Sequence, residues 1–257
     1  MGIIIKMTTW SVMILFTYAL LQHYFGLKPG RKLSIYFGLP GSGKTTFAAY
    51  LVKKQIKKLN KKQKKLDKCI NKNSRYAKKL AKWIEENKNL YSNIAIKEAY
   101  KMEKEDIGQY DIINGRLIID EVGIEYNNRN YKAFPKKAIS YFKLHRHYKT
   151  DIDVFSQSHE DCDVTLRRLA QKYYVIKRSI IPGFITKKEI KRKIGINELT
   201  HQIEDRYYFA FLGVRWIFCP PLWKYFDTEE APELQHKNWE KWKEATYKNK
   251  KIGDLIT

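Results

Sequence analysis

The sequence predicts an α/β protein with a mainly parallel sheet, and three observations carry that expectation. A short apolar run, Leu33–Phe37, leads into the loop Gly38-Leu39-Pro40-Gly41-Ser42-Gly43-Lys44-Thr45-Thr46, and a helical pattern follows it. A second apolar run, Leu117–Ile119, ends on two acids, Asp120 and Glu121. Strand-like and helix-like segments then alternate as far as Arg178, as parallel strands joined by crossover helices must. With 257 residues, 44% hydrophobic and 14% aromatic, the chain has material for a packed core, which excludes wholesale disorder.

The segments follow in order. Residues 7–27 carry no charge, with Lys6 before them and Lys28, Arg31 and Lys32 after. A helix of that length would span about 30 Å, one bilayer core. The heavier basic flank on the C-terminal side puts the body of the protein in the cytoplasm. A single-pass anchor over 1–30 is the preferred reading; a cleaved signal peptide and a buried or interfacial helix compete, but no small-residue cleavage site follows. Pro29-Gly30 ends the segment.

A main domain is expected over 31–181, with a Lys-rich helical insert at 53–85. Residues 53–82 hold 14 Lys/Arg and one acid, Asp67, so 13 of the net +23 charges are concentrated there. Beneath the lysines runs a near-heptad stripe from Val52 to Ile84, read as one long helix or a hairpin broken near Asn71–Ser74. Such a segment is either a solvated helical face or a contact for nucleic acid or lipid headgroups. Strands are expected at Tyr91–Ile96, Asp151–Gln157 and Lys172–Arg178, helices at Pro135–Leu144 and Val164–Gln171, and a loop at Asn127–Asn130. Beyond Pro182-Gly183 a β-rich extension is expected over 182–226. Within it Arg206–Cys219 reads as a hairpin or edge strand, because Arg215 sits in its middle and Pro220-Pro221 follow. Residues 227–257 read as a polar tail with a helix near Glu233–Tyr247. Cys69, Cys162 and Cys219 are odd in number and widely spaced, which argues against a disulfide scaffold or a structural zinc site.

Gly38, Gly43, Lys44 and Thr45 satisfy the full phosphate-loop pattern in a strand-to-helix context. Glycines at the turns let backbone N–H groups close around phosphates. Lys44 would then meet the β- and γ-phosphates of ATP, Thr45 would hold Mg²⁺, and Thr46 would reach the α-phosphate. Asp120 completes the metal site from the end of the second apolar strand. Glu121 is placed to polarise an attacking water, which favours hydrolysis over transfer to a small acceptor. Gln157 is read either as a γ-phosphate or water contact or as a solvated strand end. Arg129, Arg146, Arg167 and Arg168 are candidates for an arginine supplied by a neighbouring subunit. His145-Arg146-His147 reads as a helix end, where cations suit the dipole, rather than as a metal site.

Through these residues the chain resembles the zonula occludens toxin family, which includes the membrane-bound assembly ATPases of filamentous phages. The resemblance rests on Gly38–Thr46, Tyr91-Ser92-Asn93-Ile94, and Leu117–Glu121. It continues through Leu144-His145-Arg146-His147-Tyr148, Asp151-Ile152, Ser156-Gln157 and Leu166-Arg167, covering about residues 31–178. It implies a P-loop NTPase of the additional-strand, catalytic-glutamate class, related to the FtsK/HerA DNA pumps. It also implies Lys44 and Thr45 on phosphate and metal, Asp120 on metal, Glu121 on water, Gln157 as γ-phosphate sensor and Arg167 as an inter-subunit arginine. In the phage proteins the membrane span follows the ATPase domain, whereas the apolar run here precedes it, leaving almost nothing to lie outside the membrane.

The leading expectation is a virus-encoded, homo-oligomeric ATPase in the inner membrane of a bacterial host, moving or packaging phage DNA, single- or double-stranded, during virion assembly and extrusion. The alternative is a nucleotide-gated membrane scaffold that recruits virion components. A small-molecule kinase fits poorly, having no use for Glu121 or for the basic insert.

Overall fold

The computed structural model describes residues 30–121, 136–196 and 203–226, together with Met13 and Thr17. Strand β1 (Leu33–Phe37) is buried at every position, which is why it reads as a continuous apolar run rather than an alternating one. The loop after it opens into α1 (Lys44–Asp67), and a turn leads to α2 (Arg75–Glu85). Then come β2 (Asn89–Ser92), β3 (Tyr100–Lys101), β4 (Gly115–Ile119), α3 (Lys136–Leu144) and β5 (Thr150–Ser156). The rest is α4 (Val164–Leu169), β6 (Lys172–Arg178), β7 (Phe184–Ile196), β8 (Ile203–Phe218) and a 3-10 helix, Pro220–Tyr225.

The strands form one sheet in the order β3-β2-β4-β5-β1-β6-β7-β8. All pairings from β3 across to β6 are parallel; β7 and β8 add on antiparallel. Strand β5 is inserted between β1 and β4, so the glycine-loop strand and the strand ending on acids are not neighbours. That extra strand is the topology the family resemblance implies.

Side chains alternate across the sheet and build a layer on each face. Leu33, Ile35 and Phe37 of β1, with Leu117, Ile119, Ile152 and Val154, pack against Phe142 of α3 and Leu166 of α4. On the other face Tyr36, Ile118, Phe155 and Ile176 meet Phe47, Ala48, Leu51 and Val52 of α1, and Leu222 of the 3-10 helix. Each fully buried aliphatic side chain contributes on the order of 1.5–3 kcal/mol, enough to hold α1 in place despite its many lysines.

Several boundaries differ from expectation, each for a local reason. The insert is a helical hairpin: α1 stops at Asp67, and the Ser74 hydroxyl caps α2 by accepting from the Ala77 N–H at 3.1 Å. The stripe breaks at the turn, where Ile70 is fully exposed. Strand β2 ends at Ser92, and Asn93 keeps a backbone bond to Ile118 O while its side chain takes over the pairing with Asp120 beyond β4. Helix α4 ends before Gln171 because that residue is drawn to β1: its backbone N–H donates to Leu33 O, and its side-chain carbonyl accepts from the Leu33 N–H at 2.7 Å. The two-residue β3 has no sequence signal. The β-rich extension is a long hairpin, β7–β8, and it continues the main sheet through β6.

Among the described residues no helix is long and apolar enough to cross a membrane. The predicted anchor lies outside them apart from Met13 and Thr17, as do Asn127–Asn130 and the predicted helix near Glu233–Tyr247.

Candidate nucleotide-binding site

The loop Gly38–Thr46 joins the C-terminal end of β1 to the first turn of α1. Its start is tied to the sheet by the Gly38 N–H, which donates to Ser156 O at 3.1 Å. Gly41 and Gly43 have φ of +70° and +94°, the left-handed region where a side chain is strained. A Cβ on Gly38 would lie 2.4 Å from Ser42 Oγ and 2.9 Å from Ile176 O, so this turn closes only around glycine. Helix α1 begins without a side-chain cap and without an acid in its first turn. Its opening N–H groups are left to an anion.

Lys44 is buried at 7% exposure, and its ammonium donates to Gly38 O at 2.8 Å and Leu39 O at 3.3 Å. It also lies 4.0 Å from Glu121 Oε1. The Thr45 hydroxyl donates to Asp120 Oδ2 at 3.1 Å, closing a separation of 75 residues. The Glu121 N–H donates to the other Asp120 oxygen at 2.9 Å. Burial pushes the Asp120 carboxyl above the usual carboxylate range, with the neighbouring Glu121 charge adding to it; the Glu121 N–H and the Thr45 hydroxyl pull it back.

Glu121 adopts φ +51°, uncommon outside glycine. Its second oxygen accepts from Gln157 Nε2 at 3.0 Å, so Gln157 meets this cluster while its residue stays exposed at the strand end. The expected set Lys44, Thr45, Asp120, Glu121 and Gln157 is therefore assembled across β1, β4 and β5. Leu39 and Pro40 form the exposed crown of the loop, and Thr46 follows in the first turn.

The other candidates lie elsewhere. Arg167 Nε donates to Cys162 O at 3.1 Å, and its Nη1 lies 3.0 Å from His159 Nδ1. Its described contacts brace α4 and do not reach the loop. Arg146 and Arg168 are exposed, and Arg129 lies outside the described residues. His145 is buried at the end of α3, its Nδ1 2.8 Å from Phe142 O, a helix-end contact.

Three residues at the site were not singled out from sequence. The Asn93 side chain donates to Asp120 O at 2.9 Å and accepts from the Asp120 N–H at 2.8 Å, fixing the acid's backbone. Its signal was present in Tyr91-Ser92-Asn93-Ile94, without a role attached. Arg178 Nε donates to Gly41 O at 2.6 Å, and Ile185 of β7 backs Gly43. Neither could be found without the sheet order, which sets β6 beside β1 and β7 beside β6.

The donors fit a nucleoside triphosphate with a divalent cation. Ser42 Oγ is buried without a hydrogen-bond partner, an orphan inside a loop whose glycines leave room for phosphate. A buried carboxylate beside a threonine hydroxyl suits a hard cation.

No curated protein matches the chain. Among solved structures, the N-terminal domain of zonular occludens toxin from Neisseria meningitidis is similar at 17% identity and TM-score 0.47, covering 77% of this chain and 100% of that one. The genome packaging NTPase B204 from Sulfolobus turreted icosahedral virus 2, in complex with sulfate, is similar at 15% identity and TM-score 0.37, over 70% and 97%. The RadB recombinase is similar at 13% identity and TM-score 0.34, over 76% and 94%. The family model for zonular occludens toxin (Zot) matches residues 32–208, past the 31–178 of the expected resemblance and into β7 and β8. With well over half of its length matched, the chain belongs to the Zot family.

Proposed function

We propose that the chain is a P-loop ATPase of the assembly-motor kind: virus-encoded, anchored in a bacterial inner membrane through residues 7–27, and driving virion assembly by moving single-stranded DNA. The observation that carries the hydrolytic part is the Glu121 carboxylate, held between Lys44 Nζ at 4.0 Å and Gln157 Nε2 at 3.0 Å. Fixed there, the carboxylate can take a proton from a water that approaches the γ-phosphate.

In this reading Lys44 releases the loop carbonyls and turns to the β- and γ-phosphates, while Ser42 and the first-turn N–H groups receive phosphate oxygens. Glu121 accepts a proton from the water that attacks the γ-phosphorus, as the bond to the β-phosphate oxygen breaks. Gln157 orients that water and carries the state of the γ-phosphate to β5. Thr45 and Asp120 would hold Mg²⁺, which neutralises charge on the β- and γ-oxygens when bound. Subunits would assemble as a ring, and Arg167 is the arginine proposed to act in trans: two of its nitrogens are fixed by Cys162 O and His159, leaving Nη2 for a neighbour's nucleotide.

The hairpin α1–α2 supports a nucleic-acid contact. Lys61, Lys62, Lys65 and Lys79 surround Trp83 and the exposed Tyr76 in a cleft of about 470 Å³. Lys62 Nζ sits 4.7 Å from the Trp83 ring centroid. Cations for phosphates beside rings for bases are what single strands bind.

The test is the ATPase rate of detergent-solubilised protein without DNA, with single-stranded DNA and with duplex. Stimulation by the single strand that weakens steeply with salt is the expected result. Hydrolysis indifferent to both would replace the motor by the membrane scaffold.

A further inference from the structure

At the far end of β1 from the glycine loop, a cleft of about 440 Å³ opens between α1 and the sheet. That volume falls within the roughly 300–1,000 Å³ of small-molecule sites. Two carboxylates line it, and both are already taken. Asp153 accepts from the Tyr36 hydroxyl at 3.0 Å and from the Arg116 guanidinium. Asp151 accepts from Arg31 at 3.1 Å and from the Lys32 N–H at 3.0 Å.

The remaining cations have no such partner. Lys187 of β7 and Arg215 of β8 stand directly opposite each other in the strand register, an arrangement that like charges make unfavourable. Lys54 and Lys58, one turn apart on α1, line the same cleft and repel in the same way. Among the described residues none of the four forms a salt bridge or a hydrogen bond; the Lys187 ammonium lies over the Tyr174 ring, 3.7 Å from its centroid. Burial first, and Arg215 second, bring the Lys187 ammonium down to about 8. Burial lowers Lys54 and Lys58 as well. Four cations from one helix and two strands thus converge on one volume whose two carboxylates are already bonded to other groups. Through-space attraction from Glu189 and Asp153 does not outweigh burial and Arg215 at Lys187.

We infer that this cleft binds a compact phosphate group, free or carried on a lipid headgroup, through Lys54, Lys58, Lys187 and Arg215. A dianion would relieve the repulsion on both walls at once. Tyr50 and Tyr174, which also line the cleft, would flank it. The site is separate from the glycine loop, since Lys54 lies ten residues beyond Lys44, about 15 Å along α1.

The experiment uses the full chain in detergent carrying Lys44→Ala, which weakens phosphate binding at the glycine loop, and assigns to the cleft only the signal that a cleft variant removes. Inorganic pyrophosphate is titrated calorimetrically, and vesicles with or without phosphatidic acid are tested by flotation. At least a tenfold loss on adding Lys187→Met, and again on Lys54→Gln from the opposite wall, is the expected result. If only pyrophosphate binding shows that loss, the source is free phosphate; if vesicle capture shows it, the source is the headgroup. Binding of neither probe, or binding that both variants leave unchanged, overturns the inference. Oligothymidylate that displaces pyrophosphate and is lost in the same variants also overturns it, in favour of a strand path along α1. Unchanged thermal midpoints of the variants without anion separate a lost site from a lost fold.

Discussion

Lys44 and Lys187 sit at opposite ends of the same helix–sheet layer and are treated oppositely by the fold. The Lys44 ammonium has two loop carbonyls within 3.3 Å and the Glu121 carboxylate at 4.0 Å. Lys187 faces an arginine and rests on a ring. The first cation waits in a built-in cage and can be handed to a phosphate by a side-chain rotation. The second is held against its own kind, so any relief must come from outside. The difference separates a site that cycles its ligand from one that is improved by keeping it.

The sharpest way to break the comparison is at the loop end. Glu121→Gln keeps the size and the Gln157 contact but removes the proton acceptor. Hydrolysis should fall by about 10³-fold, while nucleotide affinity, read by fluorescent-analogue titration, stays near wild type. Hydrolysis at the wild-type rate would remove Glu121 from the mechanism. Lys44→Ala should cost about 10²-fold in kcat, in the range of a lost electrostatic contact, and should also weaken nucleotide binding. A smaller effect is expected from Gly43→Ala. Its φ of +94° and a Cβ 2.7 Å from Ile185 Cγ2 would strain the loop against β7, by about 1–3 kcal/mol in a denaturant titration. An unchanged midpoint would mean that β7 does not back the loop.

Much of the loop end was legible in the sequence because its chemistry is local. Gly38 to Thr46 form one contiguous motif, and Asp120-Glu121 announce themselves as acids ending an apolar run. Gln157 was readable only as one of two options until β5 was seen to bring it to Glu121. Asn93, Arg178 and Ile185 were not readable as site residues, since their roles depend on which strands are neighbours. The far cleft was wholly hidden. Lys54 and Lys58 belonged to a basic segment read either as a solvated face or as a contact for nucleic acid or lipid headgroups, and Lys187 and Arg215 lay in two segments read only as a β-rich extension. Only the β7–β8 register and the packing of α1 make these four one group. Periodicity reports which face of an element is buried; it does not report which elements will share that face.

The finest test of the comparison is the pH dependence of stability. An ammonium at about 8 in the folded chain and about 10.4 unfolded is penalised fully below pH 8 and not at all above 10.4. Between those values the unfolded chain binds more protons, so this group makes stability rise with pH. The groups facing Lys187 are Arg215 from β8, Lys54 from α1, Glu189 from its own strand, Asp153 from β5 and Tyr174 from β6. Tyr174, pushed up to about 12 by burial, stays neutral when folded but ionises at about 10 unfolded, so it opposes Lys187 at the top of the window; Lys54 acts in the same sense as Lys187. The Cys162 thiol opposes them: burial raises it to about 12, so the unfolded chain loses that proton first and stability falls with pH. The informative quantity is therefore the difference between wild type and Lys187→Met, measured by denaturant titration in phosphate-free buffer from pH 7.5 to 10.5. Wild type should gain on the variant as pH rises through 8, and added pyrophosphate at pH 7.5 should erase most of that gain by stabilising wild type more than the variant. Parallel curves would mean that the Lys187 ammonium is as well solvated as an unfolded one, and the contrast with Lys44 would then lie in geometry alone.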